Sequence, residues 1–280
     1  MAHSKVKSRI RSVVFCILSF VLSLCLFSLS VCTMLTFTLF NKDYIFNNMN
    51  SSNYFIDKTD ELKVSLTDLG YASGLDNTFF DGFIDEVLIS NDTSDYLEAF
   101  YSFENKSADT TNFENVLNEQ ISEYAQEKNI KVNDKARKTL VEKAAKIYRN
   151  TIEIPFFGTV FPYMKSAMKV MPFIIGGLVL FSAIIIFVFF KAGRWKHRAL
   201  RYICYSTSAN FLALIVIPAY LYFSQIMTKI NLASRAFYNF VQYTTNSFII
   251  MFLVCAILFL LISIALLIRH NVVRKKYTNS

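Results

Sequence analysis

Four long stretches of this 280-residue chain carry no charged residue: Ser12 to Asn41, Val170 to Phe190, Tyr202 to Thr228 and Ala236 to Ile268. Each is long enough to cross a hydrocarbon core about 30 Å thick, which takes roughly 20 helical residues. A cleaved secretory leader has an apolar region of only about 7–15 residues and then a small-residue cleavage site, so the first stretch reads as a retained helix. A lipoprotein leader does not fit either, because the large residues Phe15, Leu24 and Val31 precede Cys16, Cys25 and Cys32. None of the four runs holds a histidine. That lack argues against a proton-coupled transporter or a charge-lined pore, whose ion paths need ionisable groups within the spans.

Other absences are equally uneven. No acidic residue precedes Asp43 or follows Glu153, so all 21 lie in the one long polar segment. None of the five cysteines is there; Cys16, Cys25, Cys32, Cys204 and Cys255 all fall within apolar runs. This argues against disulfide-braced outer loops of the claudin and tetraspanin kind, and intraspan cysteines read as small packing residues. The three histidines, His3, His197 and His270, sit at membrane edges, which argues against a zinc hydrolase or a histidine-based triad in the polar segment. HExxH, GxSxG and P-loop patterns do not occur. No catalytic, cofactor-binding or metal-binding residue is assigned, and no enzyme is expected.

The basic residues give orientation. Lys5, Lys7, Arg9 and Arg11 precede the first run; Lys191, Arg194, Lys196, Arg198 and Arg201 separate the second from the third; Arg269, Arg274, Lys275 and Lys276 follow the fourth. Only Lys229 and Arg235 lie between the third and fourth. Positive charge favours the cytoplasmic side, so both termini are expected there. The expected layout is a basic N-terminus (1–11), helix one (12–40), an extracytoplasmic domain (41–168), helix two (170–190), a basic loop (191–201), helix three (202–226), a short outer segment (227–243), helix four (244–268) and a basic tail (269–280). The fold class expected is an all-α integral membrane protein: four transmembrane helices with a mainly helical domain inserted between the first two. Basic clusters at membrane ends point to anionic headgroups rather than nucleic acid. The cysteine usage fits a cell-membrane protein of Gram-positive bacterial type.

The polar segment divides by charge. From Asp43 to Glu127 there are 18 acidic and three basic residues; from Lys128 to Lys169, ten basic and three acidic. The halves are placed to attract each other or a partner, with a solvated acidic surface as the simpler reading. Thr111 and Glu114 stand in capping-box spacing before an apolar face of Phe113, Val116, Leu117, Ile121 and Tyr124. Asn133 is placed as the N-cap of a helix striped by Ala136, Leu140, Ala144 and Ile147. "FIDEVLIS" partly alternates and admits a strand. Asp76, Asn77, Asp81, Asp85 and Glu86 raise a calcium-loop reading, but Thr78, Phe79 and Phe80 break the alternation of oxygen ligands. Pro155, Pro162 and Pro172 are expected to interrupt helix ahead of the second span. Ser12, Cys16, Ser19, Ser23, Ser30 and Thr33 form a small-residue face for close packing. Gly176 and Gly177 would permit close approach, Asn210 would bond a neighbouring helix, and Pro218 would bend its own.

One span, a large polar domain and three further spans resembles the layout of the FtsX/MacB-type permease subunits. The resemblance implies a mechanotransmission subunit working with a cytoplasmic ATPase. Here only eleven residues precede the first span and the Lys191 to Arg201 loop is short. The reading preferred is a non-enzymatic multi-pass protein whose acidic domain binds a protein partner or ligand, with the four helices as anchor or relay. The permease-like subunit is the alternative, and a membrane-embedded enzyme using the outer carboxylates comes third.

Overall fold

The computed structural model describes residues 2–104, 106–192, 196–224 and 234–278; Arg194 and Lys229, two of the charges used for orientation, lie outside them. Every regular element among the described residues is a helix: α1 (Ala2–Phe37), α2 (Lys42–Ser51), α3 (Tyr54–Tyr71), α4 (Glu86–Tyr101), α5 (Thr111–Glu127), α6 (Asp134–Ile152), α7 (Phe157–Ala192), α8 (Lys196–Ser224) and α9 (Arg235–Thr278). Contacts divide the chain into two units: residues 39–166 with 231–244, and residues 1–38, 167–230 and 245–280.

The second of these, the apolar unit, is built from α1, α8 and the greater part of α7 and α9. Four helices are long and apolar enough to cross a membrane: Arg11–Phe37, Phe157–Lys191, His197–Ser224 and Arg235–Lys275. The least apolar of them, α8, is also the most enclosed, with 44 % of its most apolar window buried against 11 % for α9. That follows from its hydroxyls and amide, which are costly against hydrocarbon and so turn toward protein. Phe15 meets Phe189 and Tyr202 edge-on at 5.5 and 5.4 Å, and Leu22 and Ile185 close the cluster. Met34, Leu214 and Ala256 form a second contact further along α1.

The small-residue face of α1 meets α8 in part. The Ser12 hydroxyl lies 3.0 Å from Tyr202 Oη, Ser19 donates to the Tyr202 carbonyl at 2.9 Å, and Ser206 donates to the Ser19 carbonyl at 2.8 Å. Cys16, however, is exposed, because the buried face runs through Phe15, Ser19, Leu22 and Cys25. Ser263 of α9 donates to Thr207 at 2.8 Å. Asn210 departs from expectation: it is fully buried, and neither atom of its amide has a hydrogen-bond partner among the described residues. A Cβ added to Gly176 or Gly177 would meet nothing within 4 Å among the described residues, so neither glycine marks a close approach there. Pro162 and Pro172 do not interrupt helix either; α7 runs through both, and only Pro155 stands outside it. Losing one N–H each leaves the remaining backbone bonds of a 36-residue helix to hold its course.

The polar unit is held by its own core, in which α2 to α6 each contribute one face. Leu62 and Leu66 of α3, Ile89 and Leu97 of α4, Phe113, Leu117 and Ile121 of α5, and Leu140, Ala144 and Tyr148 of α6 are all buried at helical spacing. Phe113 stacks on Tyr148 with ring centroids 4.1 Å apart. Each of the Leu, Ile and Phe side chains among them, fully buried, contributes about 1.5–3 kcal/mol. Local signals set the ends. Asn41 and Asn133 accept backbone N–H bonds at the starts of α2 and α6, and Asp85 accepts one from Leu88 at 2.8 Å to start α4. That cap, with Ile89, Thr93, Leu97 and Phe100 buried on one face, makes "EVLIS" helical rather than extended. α3 and α5 stop alike: Gly74 (φ 81°) and Asn129 (φ 54°) turn left-handed, and the next N–H bonds back, Leu75 to Gly70 at 3.0 Å and Ile130 to Ala125 at 2.9 Å. Gly70 is needed for space, since a Cβ there would stand 2.7 Å from Phe80 Cε2.

Candidate functional site

Because α3 and α5 end together beside the start of α6, a cleft of about 710 Å3 opens between them. Leu69, Leu75, Ile121 and Leu140 give it an apolar floor, and Ile130 and Val132, from the α5–α6 connection, stand half-exposed at its lip. Lys135, Arg137 and Lys143 supply its charge. No carboxylate lines it. Arg137 is held in place by donating to Asn118, Nε to the side-chain oxygen and Nη2 to the carbonyl, both at 3.0 Å. Lys135 and Lys143 take part in none of the ion pairs among the described residues. The volume falls in the range of small-molecule sites, about 300–1,000 Å3.

A second polar feature joins α3 to the first residues of α9. The Glu61 carboxylate accepts from Lys58 Nζ at 2.9 Å, from the Ser234 hydroxyl at 2.9 and 3.0 Å, and from the Ala236 N–H at 3.2 Å. One turn away Asp57 accepts from Asn239 Nδ2 at 2.8 Å, with the exposed Arg235 at 3.7 Å. A carboxylate at a helix N-terminus meets the positive end of its dipole. Burial works to raise the Glu61 pKa, but the bonds from Lys58, Ala236 and Ser234 outweigh it and hold the carboxyl below its ordinary value. This clasp brings 234–244, expected to belong to a short loop and the fourth span, into the polar unit. No local sequence signal marks the pairing, because the partners are more than 170 positions apart.

The residues singled out for calcium are put to separate uses. Asp76 pairs with Lys128 at 3.1 Å, whose hydrogen bond lowers its pKa; Asp81 faces Lys63 at 3.9 Å; Asp85 caps α4. Among the described residues no group of three or more His, Cys, Asp or Glu is placed to hold a metal ion. The Thr111–Glu114 capping box does not form: α5 begins one residue earlier in effect, with Thr110 at the cap and its hydroxyl donating to Glu114 at 2.7 Å, while Thr111 bonds Asp109. The acidic and basic halves are joined by one ion pair among the described residues, Lys128 to Asp76. Arg137, Arg149 and Lys165 instead donate to the neutral oxygens of Asn118, Thr110 and Phe103. No family model matches the chain, and neither the curated proteins nor the solved structures contain a match to it.

Proposed function

We propose that the protein is a non-enzymatic multi-pass membrane protein whose polar helical unit lies outside the cytoplasm and binds a ligand or partner, with the spanning helices as anchor or relay. The cleft between α3, α5 and α6 carries this reading: it is a concave apolar surface with cations set around it, in a unit that has its own core. The extracytoplasmic placement is supported by the thirteen basic residues clustered at the run ends assigned to the cytoplasm, against Lys229 and Arg235 alone between the third and fourth runs and Lys42, Lys165 and Lys169 beside the polar segment. The same basic clusters meet anionic headgroups, including Arg198, Arg201, Arg269 and Arg274.

Gentle extraction from native membranes, followed by mass spectrometry of protein and lipid components, tests the reading. A small molecule or a non-ATPase partner lost when Lys135 and Lys143 are replaced by Glu upholds it. A stoichiometric cytoplasmic ATPase, retained in that variant and lost on changing Lys191 to Arg201, overturns it in favour of a permease-like subunit.

A further inference from the structure

We propose that the α3–α5–α6 cleft takes a single-chain amphiphilic anion: an unbranched acyl tail on the apolar floor and a carboxylate head between Lys135 and Lys143. The assignment rests on the reading of the polar unit as a ligand-binding one, and names the class of ligand.

Three observations carry it. First, charge: the segment from Asp43 to Glu127 holds 18 acidic residues, yet the cleft it helps to wall is lined by three cations and no carboxylate. A neutral ligand needs no such segregation, and a cationic one would be repelled. Second, availability: Arg137 is fixed by its two bonds to Asn118, whereas neither lysine is taken up in an ion pair among the described residues. Third, shape and polarity: the floor is aliphatic, and the lip residues Ile130 and Val132 are 52 % and 41 % exposed, apolar surface that a tail would cover. The volume suits one chain rather than a protein surface, which would need a far broader and flatter contact. Burial of successive methylenes then sets affinity, each improving it by about three- to fourfold until the floor is filled.

The test uses the full chain in phosphatidylcholine nanodiscs and a diazirine-bearing laurate, with the crosslinked peptides mapped by mass spectrometry. Labelling is expected within residues 69–75 and 121–143, to be competed by laurate and by dodecyl phosphate but not by dodecyltrimethylammonium. Across C8 to C12 carboxylates, competition strengthens with chain length as above. Lys135→Glu with Lys143→Glu weakens it about tenfold, the effect of reversing two partly exposed charges. Ala136→Trp, at an exposed position on the cleft wall, blocks it by filling space. Labelling confined to the spanning helices, equal competition by the cationic amphiphile, or cleft labelling unchanged in both variants with unaltered thermal midpoints would each overturn the assignment. Because nanodisc labelling does not depend on which side of the membrane the unit occupies, its failure is separable from failure of the extraction experiment.

Discussion

Glu61 offers the most demanding check on the polar unit. Replacing it with Ala removes the acceptor for the Ala236 N–H and the Ser234 hydroxyl, and strips Lys58 of its carboxylate. The Lys58 side chain is only 10 % exposed, so its ammonium is left in a place where water reaches it poorly. Breaking a fully buried pair costs about 3–5 kcal/mol, and a hydrogen bond to a charged group about 1.5–3 kcal/mol. Glu61 itself is a third exposed, which brings the expected loss to about 2–3 kcal/mol. Hydrogen exchange of the full chain in nanodiscs reads this directly: protection of the Ala236 amide should fall by about 30- to 150-fold, with a drop of roughly 5–10 °C in the thermal midpoint. Glu61→Gln, which keeps an acceptor without the charge, should lose less. Because the folded-state pKa of Glu61 is depressed, its contribution is present above the unfolded value near pH 4.3 and lost as pH falls through the folded value. The difference between wild type and Glu61→Gln should therefore narrow as pH falls below the unfolded value near 4.3 and close once it has passed the lower folded value. Unchanged exchange at Ala236 together with an unchanged midpoint would refute the clasp.

Three further outcomes are expected. Burial and the nearby Asp95 and Asp109 raise the Asp92 pKa against the lowering hydrogen bond from Tyr148, so ionised Asp92 costs the fold stability at neutral pH; Asp92→Asn should raise it by about 0.5 kcal/mol at pH 7 and by nothing at pH 3, measured by thermal unfolding. Asn210→Leu replaces a buried amide that has no partner among the described residues with a side chain of similar size, and should stabilise the apolar unit by about 1 kcal/mol in detergent unfolding. Ser206→Ala deletes the bond to the Ser19 carbonyl and should cost about 0.6 kcal/mol by the same assay.

The four helices long and apolar enough to span were readable because lipid demands a simple signal, a long run without charge, and all four runs carry it. The start of α6 was readable too, since Asn133 caps locally. At α5 the same kind of reading slipped by a residue, because Asp109, Thr110 and Thr111 all offer side-chain oxygens and the bonds actually formed decide among them. The partly alternating "FIDEVLIS" favours neither period by itself; the Asp85 cap and the buried face from Ile89 to Phe100 decide for helix. The cleft and the clasp lay beyond reach for one reason. Leu69, Ile121 and Leu140, like Glu61 and Ser234, are brought together by tertiary packing, and no spacing along the chain encodes that meeting.

The central claim is that the polar unit stands outside the cytoplasm while both termini stand within it. Single cysteines introduced as Asn115→Cys on exposed α5 and Asn271→Cys near the end of α9, in a background with the five native cysteines replaced by serine or alanine, test it in intact cells with a membrane-impermeant maleimide. The account predicts labelling at 115 in intact cells and at 271 only after permeabilisation; the reverse pattern would contradict it.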